Sequence, residues 1–108
     1  VVGHNTATIR ESLLEKAFEL GEKFITASKE HYDPGIIGPF CLQTCIDKDM
    51  NYAIYDVAPR LGGGTNVHVS VGHPYGNATW RKPVSSGRRI AMELRRAVEQ
   101  DRLLEVLT

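Results

Sequence analysis

Two apolar segments separated by a short polar turn constrain this chain more than any other feature. The segments span residues 37–46 and 52–60, and the residues between them, DKDMN, are typical of turns. The pattern predicts an antiparallel hairpin. Gln43 and Asp56 interrupt the two segments at positions where a purely structural hairpin would favour apolar residues, so we treat them as candidate functional residues.

The length of the turn decides whether these two polar residues meet. If the loop comprises the four residues 48–51, Gln43 lies opposite Asp56 and Cys45 lies opposite Ile54. A loop one residue longer or shorter would break this pairing. Oxygen-bearing side chains on facing strands can hold a hard cation such as Mg²⁺. One amide and one carboxylate make a weak site, so the metal would arrive with a nucleotide whose phosphates supply further ligands.

A long amphipathic helix is predicted before the hairpin, over Thr8 to Tyr32. Thr8 and Glu11 have the spacing of a capping box at its start, and Asp33-Pro34-Gly35 would end it. A second helix begins at Ser85 or Ser86. A break is expected near Asp101. The apolar residues of this second helix share one face: Ile90, Leu94, Ala97 and Val98.

The segment between the hairpin and the last helix has two predicted parts. Gly62-Gly63-Gly64 provides backbone freedom for a tight turn or a close approach to a ligand, and Thr65 and Asn66 follow with polar side chains. The alternation of valine at 67, 69 and 71 predicts a short strand or an extended segment with one apolar side. Residues 72–77 are expected to form a loop.

Composition excludes several classes of protein. The 108 residues fit a single domain, residues 1–108, with one core. Thirteen basic and thirteen acidic side chains leave no broad positive surface for nucleic acid. No apolar stretch could span a membrane and no signal peptide is apparent. Cys41 and Cys45 would lie about 13 Å apart on one strand, too far for a disulfide, so free thiols indicate the cytoplasm.

Common catalytic motifs are absent from the sequence. The histidines have no H-x3-H spacing, and there is neither a G-x-S-x-G elbow nor a G-x4-G-K-[ST] phosphate loop. These absences argue against a self-contained hydrolase or a P-loop nucleotide site. Because the chain begins with Val1 rather than Met, we expect it to be part of a longer protein.

Four segments of the sequence closely resemble the C-terminal region of archaeal formate-dependent AICAR formyl ligases. These enzymes are FAICAR synthetases of purine (IMP) biosynthesis and members of the ATP-grasp superfamily. The resemblance covers nearly all of this chain but only about the last third of such an enzyme. The segments are RESLL at 10–14, PGIIGPFCLQT at 34–44, the arginine and GTN of YDVAPRLGGGTN, and SGRRIAMEL at 86–94.

The resemblance implies an activity and a cofactor. The family joins formate to the AICAR ribonucleotide and converts ATP to ADP and phosphate, with Mg²⁺ bound alongside ATP. Gln43 stands where the first metal ligand is expected and Asp56 where the second, usually glutamate, is expected. Arg60 matches an arginine after the second ligand and could bind phosphate as a catalytic residue. The predicted fold is α+β, a small antiparallel sheet packed by two main helices, forming the C-terminal part of an ATP-grasp fold.

The resemblance also implies residues that contact substrate. His4 occupies the family's asparagine position for the AICAR nucleotide, and Thr65 and Asn66 are further candidates. The expected partners are ATP, formate, AICAR ribonucleotide, the remaining N-terminal domains of the enzyme and other copies in a homo-oligomer. The fragment by itself is expected to be inactive.

Three departures from the family pattern keep two alternatives open. Asp56 is one methylene shorter than glutamate, His4 replaces asparagine, and His73 stands where serine usually precedes Pro-Tyr. The first alternative is a non-catalytic binding or assembly module with the same scaffold. The second is an ATP-grasp ligase acting on another carboxylate and amine.

Overall fold

The computed structural model describes residues 2–107, which form two compact units. One unit spans Thr6–Gly62 and contains the long helix and the hairpin; we call it the hairpin unit. The other is formed by the segments on either side, up to Asn5 and from Gly63 onwards, and we call it the α3 unit after its longest helix.

The hairpin unit begins with helix α1, Glu11–His31. Its N-cap is Arg10, which makes no side-chain capping hydrogen bond, and the amide of Leu13 donates to the Arg10 carbonyl at 2.9 Å. The predicted capping box is therefore wrong, because the helix begins three residues after Thr8 and Glu11 is its first residue rather than its third. At the other end, the Ser28 hydroxyl accepts from the Ile36 amide at 3.0 Å and ties the outgoing chain to the last turn.

Strands β1, Cys41–Ile46, and β2, Tyr52–Ala58, form the predicted antiparallel hairpin. Its turn is one residue shorter than expected, because Asp47 pairs with Asn51 through an amide-to-carbonyl hydrogen bond of 3.0 Å. The Asp47 carboxylate also accepts from the amides of Asp49 at 2.9 Å and Asn51 at 2.8 Å, which closes the shorter loop. Cys45 consequently lies opposite Ala53, and the predicted pairing of Cys45 with Ile54 is wrong.

Helix α1 packs on the hairpin through aromatic side chains. The Tyr52 hydroxyl donates to the carbonyl of Leu13, itself buried, at 3.0 Å. The rings of Phe24 and Phe40 are 4.8 Å apart. Phe40 also lies over Gly21, where an added Cβ would be 3.9 Å from its ring. An alanine at position 21 would make an ordinary van der Waals contact with this ring, so the packing does not require glycine.

The α3 unit contains only helical elements among its described residues. They are a 3-10 helix at Gly63–His68, α2 at Pro74–Trp80, α3 at Ser86–Glu99 and a second 3-10 helix at Leu103–Val106. The predicted valine strand is wrong, since the segment folds locally and the Val69 amide donates to the Asn66 carbonyl at 3.4 Å. The expected loop over 72–77 is also wrong in part, because α2 begins at Pro74.

Helix α3 has the predicted boundaries. The Ser85 hydroxyl accepts from the Arg88 amide at 3.2 Å and caps the first turn. Asp101, with φ of 55°, ends the helix, and the second 3-10 helix packs back against α3. The α+β class predicted from the sequence is confirmed. No helix within residues 2–107 is both long and apolar enough to cross a membrane.

Candidate functional site

Gln43 and Asp56 are directly paired across the hairpin, as the sequence predicted. Directly opposite residues of antiparallel strands place their side chains on the same face with Cβ atoms about 5 Å apart. Gln43 is half-buried and Asp56 is exposed. Within residues 2–107, neither the Gln43 amide nor the Asp56 carboxylate makes a side-chain hydrogen bond or an ion pair. The oxygen atoms of both side chains are therefore available to bind a ligand.

A β-bulge lies immediately beside this pair. The register changes between Gln43 and Thr44, because Thr44 pairs with Ile54 and leaves Tyr55 as the extra residue on β2. The bulge offsets the short turn by one residue and restores the pairing of Gln43 with Asp56. Bulges occur often beside functional sites, where they redirect a side chain.

Arg60 follows β2 in the same unit and is exposed. Its Nη1 donates to the carbonyl of Leu61 at 2.8 Å. A guanidinium carries five N–H donors, so this single bond leaves most of them able to bind an anion.

The segment that follows β2 passes close to β1 at Gly62. Gly62 is buried, and a Cβ added there would lie 2.6 Å from the Cys41 sulfur. Any larger residue at position 62 would require the Cys41 side chain to shift. The glycine-rich segment is therefore a packed connection at this point rather than a flexible one.

The candidate substrate residues lie in the α3 unit. His4 is exposed, and its Cδ2 is 3.7 Å from the position of a Cβ added at Gly64. Gly64 immediately precedes Thr65 and Asn66 in the first 3-10 helix. Thr65 is half-buried and Asn66 is exposed. The structure thus brings His4 beside the segment that carries the other two candidates.

A histidine pair in the α3 unit was not predicted. The rings of His68 and His73 are 4.9 Å apart, edge to face. His73 Nδ1 accepts from the Tyr75 amide at 3.3 Å and caps α2, while His68 Nδ1 is buried without a hydrogen-bond partner among the described residues. Burial, and then the charge of His68, lower the pKa of His73. Pro74 at the first helical position was the signal that could have revealed this cap.

The donor set at the hairpin fits magnesium better than a transition metal. One amide oxygen and one carboxylate suit a hard cation that keeps waters and phosphate oxygens as its other ligands. Within residues 2–107, no group of three or more His, Cys, Asp or Glu side chains is placed to hold a metal ion. The assignment of Gln43 and Asp56 as magnesium ligands stays a prediction.

The architecture and the polar pair on its hairpin define a small α+β domain with an oxygen-lined face. The chain belongs to the family described as "Domain of unknown function (DUF1297)", which matches residues 1–108. This membership holds for the whole length of the sequence.

The relatives of this chain carry a consistent name. It is 39% identical to 5-formaminoimidazole-4-carboxamide-1-(beta)-D-ribofuranosyl 5'-monophosphate synthetase of Methanobrevibacter smithii, over 100% of this chain and 30% of that protein. The synthetase of Saccharolobus solfataricus is 43% identical, over 100% of this chain and 32% of that protein. This chain spans about a third of the length of these relatives.

A solved structure is similar to this one over its whole length. The crystal structure of an IMP biosynthesis protein PurP from Thermococcus kodakaraensis superimposes with a TM-score of 0.85 and 39% sequence identity, over 100% of this chain and 35% of that one. These similarities confirm the family resemblance predicted from the sequence motifs.

Proposed function

We propose that this chain is the C-terminal domain of an ATP-grasp ligase that formylates AICAR ribonucleotide to FAICAR in purine biosynthesis. The names of the relatives support this proposal, as does the match of this chain to about a third of their length. The structural observation that supports the proposal is the pairing of Gln43 with Asp56 beside a β-bulge. Their two oxygen-bearing side chains share one face of the hairpin and have no other partner among the described residues.

Each candidate residue has a distinct role in the proposal. Gln43 and Asp56 hold Mg²⁺, which neutralises phosphate charge when ATP is bound. Arg60 binds a phosphate oxygen through the N–H groups that its bond to Leu61 leaves free. His4 and Asn66 orient the AICAR ribonucleotide from the glycine-rich segment, together with Thr65.

The cellular setting follows from the same proposal. ATP, formate and the ribonucleotide are cytoplasmic metabolites, and Cys41 and Cys45 are free thiols in the structure, which suits a reducing compartment. The domain acts within the longer chain and its homo-oligomer, where the other domains complete the adenine site.

Removing the Asp56 carboxylate tests the proposal. In the full-length enzyme, Asp56→Ala should lower kcat/KM by about a hundredfold or more, since a metal ligand contributes several kcal/mol to charge stabilisation. Asp56→Glu, the residue usual in the family, should retain activity with an altered Mg²⁺ requirement. Steady-state ADP release over a Mg²⁺ titration measures both effects.

The matched control is Asp49→Ala, which removes an exposed carboxylate from the turn of the same hairpin and should leave the rate unchanged. Omitting formate and AICAR ribonucleotide in turn tests the substrates. ADP release that does not depend on AICAR would reject the substrate assignment, and full activity of Asp56→Ala would reject the metal assignment.

A further inference from the structure

Helix α3 carries a row of apolar side chains that the described residues leave open to solvent. Ile90, Leu94 and Val98 follow one another at intervals of four residues and are 39%, 37% and 58% exposed. We call these three residues the α3 stripe. At 3.6 residues per turn they fall within an arc of about 80°. Most of α3's remaining exposed side chains are charged, so the helix is strongly amphipathic.

The stripe is not the part of α3 that builds the core of its own unit. Ala97 is the one described residue of α3 that is buried, and it lies at the edge of the stripe. The second 3-10 helix packs on α3 and carries Leu104, which is 87% exposed, and Leu107 directly after it is 50% exposed. Exposed apolar side chains are therefore found beyond the end of α3 as well.

The accessible surface area of this chain is larger than that of a compact protein of the same mass. The accessible area is 8614 Å², whereas a compact protein of 12.0 kDa exposes about 6,000 Å². Two separate compact units of half that mass would expose about 7,200 Å². The accessible area exceeds even this second value, and no described side chain is completely buried. The chain thus presents more surface than compact proteins of this mass expose.

The relatives are about three times as long as this chain, which makes the remaining part of such a chain available to cover the stripe. This chain matches 30% and 32% of the synthetases of Methanobrevibacter smithii and Saccharolobus solfataricus. Their chains therefore contain more than two residues outside the matched region for each residue inside it. A covalently attached surface has an effective concentration in the millimolar range, so it competes well against any separate molecule.

We propose that the α3 stripe is the docking surface for the remaining part of the same enzyme chain. Arg88 and Arg95 lie beyond one border of the stripe, so the covering surface should have an apolar centre and acidic residues at that edge. The inference rests on the part of the proposed function that places this chain in a longer enzyme, and it would hold for a ligase of any substrate.

Photo-crosslinking in the full-length enzyme tests this surface. The photoreactive residue p-benzoylphenylalanine replaces Leu94 in one variant and Val98 in a second, so that one misfolded variant does not end the test. The matched control places it at Glu99, which is exposed and lies about 140° around α3 from Leu94. Denaturing electrophoresis and peptide mass spectrometry then locate the crosslinks, independently of catalysis.

The expected product has the mass of a single chain, with the stripe joined to a peptide outside this 108-residue region. Its yield should be at least tenfold higher from Leu94 or Val98 than from Glu99. A product of twice the chain mass would overturn the proposal in favour of a second copy. Crosslinks confined to this region, or yields equal to the Glu99 control, would overturn it in favour of a stripe that no other domain covers.

Discussion

The side chain of His73 caps α2 through a nitrogen that can be protonated. Its Nδ1 accepts from the Tyr75 amide at 3.3 Å, so the neutral ring must carry its proton on Nε2. A serine at this position would cap equally well without titrating. Burial, and secondarily the charge of His68, lower the pKa of His73 from its ordinary value of 6.5.

This cap should make α2 sensitive to acid. Because the folded state lowers the pKa of His73, the unfolded chain binds the proton more tightly. The stabilisation is complete above the ordinary pKa near 6.5 and is lost as the pH falls below it. His73→Ser should remove that part of the pH dependence while keeping a cap of about 1 kcal/mol. Hydrogen exchange of α2 amides at pH 7.5 and pH 5 measures this, and identical pH profiles for both proteins would contradict it.

Gly72 occupies a position that only glycine can fill. It is buried with φ of 73°, and an added Cβ would collide with the Asn77 side-chain oxygen and lie 2.6 Å from the Val84 carbonyl oxygen. Asn77 links two segments there: it donates to the Val71 carbonyl at 2.7 Å and accepts from the Val84 amide at 3.0 Å.

Gly72→Ala should therefore destabilise the α3 unit by about 2–4 kcal/mol, through backbone strain and the loss of the Asn77 hydrogen bonds. The matched control is Gly76→Ala within α2, where an added Cβ meets nothing within 4 Å. That change should be neutral or stabilising by up to about 1 kcal/mol. Urea unfolding of both variants gives the difference, and equal midpoints would refute the packing argument.

At the scale of elements, both the hairpin and the pairing of Gln43 with Asp56 were predictable from sequence. The structure, however, produces this pairing with a shorter loop and a bulge rather than with the expected loop. The expected four-residue loop placed Gln43 opposite Asp56. The actual loop is one residue shorter, and the bulge at Tyr55 restores the same pairing. Turn residues predict where a hairpin reverses. A bulge depends on the packing of both strands, and no glycine marked this one.

Asp47 closes the turn that sets this register. Its carboxylate accepts from the amides of Asn51 and Asp49 and from the Asn51 side chain at 3.2 Å. The Asn51 amide is the main reason that the pKa of Asp47 is lowered from 3.8. The contribution of Asp47 to stability is therefore present above pH 3.8 and is lost as the pH falls through the lowered pKa.

Asp47→Ala should open the turn and speed amide exchange at Asn51 at neutral pH, with a smaller effect at pH 3. Asp49→Ala, at the centre of the three-residue loop, should leave that exchange unchanged because only the backbone of Asp49 bonds to Asp47. Residue-resolved hydrogen exchange by NMR distinguishes the two variants. Similar exchange in both would show that backbone geometry alone closes the turn.

At the scale of the whole molecule, periodicity predicted the apolar faces but not their burial. The face of α3 that contains Ile90, Leu94 and Val98 is the one expected from sequence, yet only its neighbour Ala97 is buried. Periodicity reports which side of a helix is apolar; what covers that side depends on the rest of the structure. Chain length predicted one core, whereas the buried apolar residues among those described are divided between the units: Leu13 and Ala58 lie in the hairpin unit, and Val84 and Ala97 lie in the α3 unit.

The exposed stripe predicts opposite effects of one double substitution in two contexts. In the isolated 108-residue chain, Leu94→Gln with Val98→Lys should raise soluble yield and reduce binding of a hydrophobic dye, because it removes exposed apolar surface. In the full-length enzyme the same change should lower stability by about 2–4 kcal/mol, since a covered apolar face becomes polar.

Dye fluorescence and soluble yield measure the first effect, and thermal unfolding of the full-length enzyme measures the second. Glu99→Gln on the far side of α3 serves as the control and should be silent in both contexts. A covered stripe requires the two effects to differ in sign, because the same side chains face water in one context and protein in the other. An unchanged melting temperature in the full-length enzyme would mean that the stripe faces water there too.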